Sequence, residues 1–187
     1  MVEKTRKGKQ RWIKIIGPPE LKDSVLGESY VVDPEQLIGK KVYLGLNNLT
    51  GDMRRQNILV GFRVHSVKGA EAHADVVSYE MIQAHVKRLI RAGQDKIDDS
   101  FLVESKDHVK LRIKPLILTR NKTKNSNLTR IRMRTREKIK DLFTKESFTN
   151  TFGAILSGQL QKSLRQDMSK IYPLSVFEIR RVDILNR

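Results

Sequence analysis

No cysteine occurs among the 187 residues of this chain, which excludes disulfides and thiolate metal sites outright. Aromatic residues make up only 6% of it. They form no cluster along the sequence, so reading of single-stranded RNA by base stacking is not expected. The stretch VGFRVHSV at 60–67 superficially resembles an aromatic RNA-binding strand. It lacks the second glycine or alanine and the second aromatic that such a strand requires. No apolar run approaches the roughly 20 residues needed to span a bilayer. The opening MVEKTRKGKQRW has no apolar signal core. Neither a basic amphipathic membrane helix nor a lipidation motif is evident, so no membrane partner is expected and a cytosolic location is. Three Asn-x-Ser/Thr matches, at Asn48, Asn121 and Asn127, then count as chance.

The signatures of catalysis are equally scarce. Gly-x-Gly-x-x-Gly and P-loop patterns are missing. His65, His73, His85 and His108 have no metal-ligand spacing. Asp98 and Asp99 are neighbours, which diverge on a strand and sit about 100° apart on a helix, a poor arrangement for an acid/base dyad. Helix capping or ion pairing suits them better, and two-metal chemistry through Asp95, Asp98 and Asp99 has no further support. No residue pattern supports an enzyme activity, metal or cofactor, and a metal-dependent RNA-processing enzyme using Asp95 to Asp99 stays an open alternative.

What the chain has in excess is positive charge. Its net charge is +16, with 37 Lys and Arg against 21 Asp and Glu. Residues 1–14 hold six basic residues and one acidic; residues 110–140 hold twelve and only Glu137. These two segments account for the whole +16, because the other 142 residues balance at 19 against 19. A neutral body with two cationic segments is the pattern of a protein that docks on a polyanion. Such self-repulsion is relieved when phosphates are neutralised and counterions released. The expected contacts are Lys4, Arg6, Lys7, Lys9 and Arg11 in a basic arm, and Lys110, Arg112, Lys114, Arg120, Lys122, Lys124, Arg130, Arg132, Arg134, Arg136 and Lys138 in the second segment. A general nucleic-acid chaperone or DNA-compacting protein is the alternative to an RNA-bound one.

Strands mixed with about three helices, without regular βαβ alternation, point to an α+β or β-barrel-like domain of mixed or antiparallel strands with a basic N-terminal arm. Residues 1–11 are expected to form the arm and 12–187 one domain with a basic loop at 119–130. Trp12 and Ile13 read as anchors at its start, and the stretch from Pro18 to Gly39 mostly as loop, with a helical turn at Asp33-Pro34-Glu35. Strands are expected at 41–46, 57–67 and 73–79, with Ile58, Val60, Phe62 and Val64 on one face. The spacing of Ile82, Val86, Leu89 and Ile90 predicts a helix over 78–92, capped by Ser78. A hairpin turns at Lys106-Asp107; its second strand has Leu111, Ile113 and Ile117 on one face and Lys110, Arg112 and Lys114 on the other. Pro115 suggests an edge strand or the end of pairing. RIRMRTR at 130–136 alternates again, predicting a return strand with four arginines outward and Ile131 and Met133 inward. A helix carrying Ile139, Leu142 and Phe143 should follow, then one through Phe152, Leu156, Leu160, Leu164 and Met168. The final strand, 173–185, changes parity between Ile179 and Val182, which predicts a bulge at Arg180-Arg181.

Several stretches carry a resemblance: LGE at 26–28, LIGKKV at 37–42, NLTGD at 48–52, KGAEAHADVVSYEM at 68–81, KIDDS at 96–100, LRIKPLILTR at 111–120 and IYPLSVFEIRRVDIL at 171–185. In this order the chain resembles the archaeal and eukaryotic small-subunit ribosomal protein family S-three-Ae, which is unrelated to bacterial ribosomal protein S-one. Asn48 departs from the acidic residue usual before LTGD, and 121–129 is unusually rich in Asn. The resemblance implies a non-catalytic ribosomal protein with a barrel-like core, seated on the platform of the small subunit near the mRNA exit. Its implied partners are the 3′ region of the small-subunit rRNA, neighbouring platform proteins and passing mRNA, with no homo-oligomer. The lack of a long C-terminal extension suggests an archaeal or reduced-genome source.

Overall fold

The computed structural model describes residues 10–18 and 24–186. Nine strands form one mixed sheet. The longest hairpin joins β4 (Ile58–Lys68) to β5 (Glu71–Met81). Gly69 makes the turn possible at φ +63°, where a side chain would be strained. Val60, Phe62 and Val64 are buried in β4, as period two requires, with Ile58 partly covered. β3 (Lys41–Gly45) pairs with the outer edge of β4. The other edge of β5 is divided: β1 (Arg11–Ile16) runs parallel to its first residues, and β9 (Leu174–Asn186) antiparallel to its last. β2 (Val25–Val31) lies outside β1, in a region expected to be loop. On the far side of β9 lies β8 (Lys110–Thr119), whose second edge is shared by β7 (Phe101–Glu104) and β6 (Lys96–Asp98). The path ends at β2 and β6 without closing, an α+β body around a strand-built core.

The expected bulge is present. Lys114 pairs with Arg181 and Pro115 with Ile179, so Arg180 is the extra residue and both Ile179 and Val182 turn inward. Pro115 is expected at an edge or at a break in pairing, and it sits at a break although β8 is an interior strand. Pairing with β7 ends at Ile113 and pairing with β6 starts at Leu116, while the ladder to β9 shifts register between Lys114 and Pro115, so the nitrogen without a proton falls where the ladders are interrupted.

Five helices accompany the sheet: α1 (Leu46–Thr50), α2 (Gln83–Leu89), α3 (Asn125–Lys145), α4 (Phe148–Ser157) and α5 (Gln159–Ser169). The helix expected over 78–92 shrinks to the seven residues of α2, which bury nothing. Ser78 to Met81 belong to β5 because Tyr79 and Met81 alternate into the core. The single helix expected through Phe152 to Met168 is two. Gly158, at φ +72°, ends α4 and starts α5, while both halves keep their apolar stripe inward.

The largest departure is at 125–136. There is no return strand; α3 starts at Asn125, inside the expected loop, and runs through RIRMRTR without a break. Ile131, Thr135, Ile139 and Phe143 form its buried stripe at four-residue spacing. Met133, expected inward, is 60% exposed.

Candidate nucleic-acid interface

The Ile131–Phe143 stripe lies against the apolar face of β7 and β8. Phe101 and Val103 pair with Ile113 and Leu111, and all four are buried with the helix stripe in one cluster. The Arg136 guanidinium stands 5.9 Å from the Phe101 ring centre, which fixes the side on which α3 sits. Side chains alternate across a strand, so Lys110, Arg112 and Lys114 emerge on the opposite face. The two basic stretches therefore occupy opposite sides of the β7–β8 layer instead of forming one surface.

Their electrostatics differ too. Across the ladder Lys110 faces Glu104, and Arg112 faces Asp183, while Lys114 faces Arg181. Carboxylates thus interrupt the strand row. Residues 120–136 hold seven cations and no acidic residue. Arg136 is one of them, but it is occupied: it donates twice to Asp99, at 2.5 Å from both Nε and Nη2. That fork holds the Asp99 carboxyl below its ordinary range, with Arg132 adding to the effect. Lys138 is likewise committed, bonded to Asp167 on α5, which Lys170 also reaches at 3.2 Å. Both residues fasten α3 to the body.

Six cations remain with no carboxylate within 4 Å among the described residues: Arg120, Lys122, Lys124, Arg130, Arg132 and Arg134. All six are exposed. At about 100° per residue, Arg130 and Arg134 share the outward face with Met133, while Arg132 sits on the Asp99 flank. An open groove runs along that outward face from Ser126 past Arg130 and Arg134 to Glu137.

The link before α3 is held by its backbone, which leaves its side chains outside. The Arg120 N–H donates to the Pro173 carbonyl at 3.0 Å. The Tyr172 hydroxyl donates to the Lys122 carbonyl at 3.3 Å, and the Thr123 N–H to Asp95 at 2.7 Å. Tyr172 and Asp95 thus position the basic link, a role the sequence reading missed. The first turn of α3 carries neither an acidic residue nor a side-chain cap. The positive end of the helix dipole therefore adds to the cations around it.

Lys4, Arg6, Lys7 and Lys9 lie outside the described residues. Arg11 is exposed at the first position of β1, paired with Val31. Beside it, Trp12 is not an anchor: it is 63% exposed and lies 5.0 Å from the Tyr30 ring across the β1–β2 ladder, while Ile13 is fully buried. The absence of an aromatic cluster holds along the chain but not in space. Adjacent strand residues must point opposite ways, and that was the available signal.

The acidic residues 95–99 are internal acceptors. Asp98 pairs with Arg180 at 2.8 Å and Lys96 at 3.3 Å, and Asp99 with Arg136. Among the described residues no group of three or more His, Asp or Glu is arranged to hold a metal ion.

An α+β body whose acidic cluster at 95–99 is taken up internally, and which carries a dense run of unpaired cations on one link and one helix, has the build of a protein that docks on a polyanion. The chain belongs to the ribosomal S3Ae family, whose model matches residues 3–187. Proteins named small ribosomal subunit protein eS1 are similar along nearly all of it. That of Nanoarchaeum equitans is 31% identical over 170 residues, covering 91% of this chain and 86% of its own. The protein from Methanothermobacter thermautotrophicus is 27% identical over 176 residues, covering 94% and 90%. The Haloquadratum walsbyi protein is 27% identical over 179 residues, covering 96% and 84%.

Proposed function

We propose that the chain is a structural, non-catalytic constituent of the small subunit of the cytoplasmic ribosome, and that it binds small-subunit rRNA through the link and first turns of α3. The observation that carries this reading is the set of six exposed cations at 120–134 with no carboxylate within 4 Å among the described residues. Phosphates would supply the missing counter-charge and release bound counterions. Lys110, Arg112 and Lys114 act as a secondary contact on the other face, and the arm with Lys4, Arg6, Lys7, Lys9 and Arg11 as a further one. Arg136 and Lys138 hold α3 in place for that contact. The family resemblance supports a seat on the platform near the mRNA exit, against the 3′ region of the rRNA, neighbouring platform proteins and mRNA.

Sedimentation tests the reading. The chain should travel with small subunits at moderate salt; recovery only in the soluble fraction would contradict it. With about six phosphates neutralised, log K for an rRNA fragment should fall with log salt at a slope near about −5. Duplex DNA that competes as well as folded small-subunit rRNA would favour the general nucleic-acid chaperone instead.

A further inference from the structure

A cleft of about 370 Å³ opens on the side of the molecule formed by β5, α5 and β9. Three stretches singled out in the sequence converge on it: the residues following NLTGD supply Arg54 and Arg55, VVSYEM supplies Tyr79 and Met81, and PLSVFE supplies Phe177 and Glu178. None of them belongs to the α3 surface.

The floor of the cleft is polar and buried. Gln161 is only 5% exposed; its amide nitrogen donates to the Ile155 carbonyl at 3.1 Å, which fixes the amide's orientation. Its carbonyl oxygen, the other end, has no hydrogen-bond partner among the described residues. A buried acceptor left unpaired costs about 1–3 kcal/mol unless a ligand or water fills the place. Tyr79, 1% exposed, lies beside the Gln161 amide. Glu178 is held above the ordinary carboxylate range by burial, against the pull of Arg55 and Arg165. The walls are apolar, with Met81 and Phe177 among them.

The mouth is cationic, with Arg54, Arg55, Lys162 and Arg165 lining it. Arg55 is held by Asp52 at 3.4 Å and by the Ser157 carbonyl. Gly158 permits that approach, since a Cβ there would lie 2.8 Å from the guanidinium. Arg54 and Lys162 are exposed and have no carboxylate within 4 Å among the described residues.

We propose that this cleft receives a single extruded nucleotide of the bound RNA, with the base inward against Tyr79, Gln161 and Glu178 and the phosphate at the mouth among Arg54, Lys162 and Arg165. A nucleobase is flat, neutral and edged with N–H groups, so it suits apolar walls and a floor where the Gln161 carbonyl oxygen is unpaired and the Tyr79 hydroxyl and Glu178 stand beside it. An acidic peptide would satisfy the mouth but press carboxylates toward Glu178. The volume is at the lower end for small-molecule sites, which suits one nucleotide.

The proposal rests on the RNA-binding reading above, and its test separates the two. Adenosine 5′-monophosphate, inorganic phosphate and a glutamate-rich peptide are titrated separately into the isotope-labelled chain and followed by NMR. The nucleotide should shift Tyr79, Gln161 and Phe177 and bind about tenfold more tightly than phosphate. Gln161→Leu should bring the nucleotide down to the phosphate level. Lys162→Gln, an exposed change that leaves the fold intact, should weaken both. Equal binding of nucleotide and phosphate by the unchanged chain, tighter binding of the peptide, or no shift at these residues would each overturn the proposal. Binding of an rRNA fragment is measured in parallel with an Arg130→Gln, Arg134→Gln chain. Fragment binding without the nucleotide shifts removes the cleft alone; nucleotide shifts without fragment binding overturn its role in RNA docking.

Discussion

KLRIK at 110–114 and RIRMR at 130–134 have the same written pattern, a cation at every second position with apolar residues between. In β8 that pattern puts Lys110, Arg112 and Lys114 on one face and buries Leu111 and Ile113. In α3 it is wound at 3.6 residues per turn, so Arg130 and Arg134 face outward, Arg132 turns to a flank and Ile131 alone of the apolar pair goes inward. Charge spacing does not decide a surface; the backbone on which it is written does. The strand row is interleaved with Glu104 and Asp183 from neighbouring strands, whereas the six cations of the link and the first half of α3 have no carboxylate within 4 Å among the described residues.

The helical placement can be broken most sharply from within. Phe143→Ala removes a fully buried ring and should cost about 3–5 kcal/mol in urea unfolding. Met133→Ala should change stability by no more than about 0.5 kcal/mol, because the side chain stands in solvent. Comparable losses at both positions would restore the strand.

A smaller effect separates anchoring from docking cations. Arg136→Gln leaves Asp99, whose side chain is 9% exposed, without its fork. The expected loss is about 1–2 kcal/mol, moderated by solvent around the arginine end. Since the Asp99 carboxyl is depressed in the folded chain, its stabilisation is complete above the ordinary carboxylate pKa and fades as pH falls through the depressed value. The gap between the two chains should be constant near neutrality and narrow below about pH 4. A gap independent of pH would assign Arg136 a packing role only.

Much of this architecture is legible in the residues. Alternation in β4, the hairpin at Lys106-Asp107 and the parity change at Arg180 are local signals, and each specifies a local geometry. The readings that fail are those in which two periods coincide. Over seven residues RIRMRTR fits period two, but Leu128, Ile131, Thr135, Ile139, Leu142 and Phe143 continue a helical stripe through it, and burial of that longer stripe wins. Conversely, Tyr79 and Met81 at the head of the expected 78–92 helix are claimed by β4, the other arm of their hairpin, and Tyr79 also by β9, a partner distant in the chain. Tertiary pairing also explains why the strand and helix cations part company. No local pattern states that α3 covers the Leu111 face and leaves Lys110 behind it.

The salt dependence of rRNA-fragment binding tests the central claim most directly, comparing Arg130→Gln, Arg134→Gln with Lys110→Gln, Arg112→Gln. The helix variant should shallow the slope by about 2 and the strand variant by less than about 1. An unchanged slope for the helix variant, or a larger change for the strand variant, would contradict an RNA interface centred on α3.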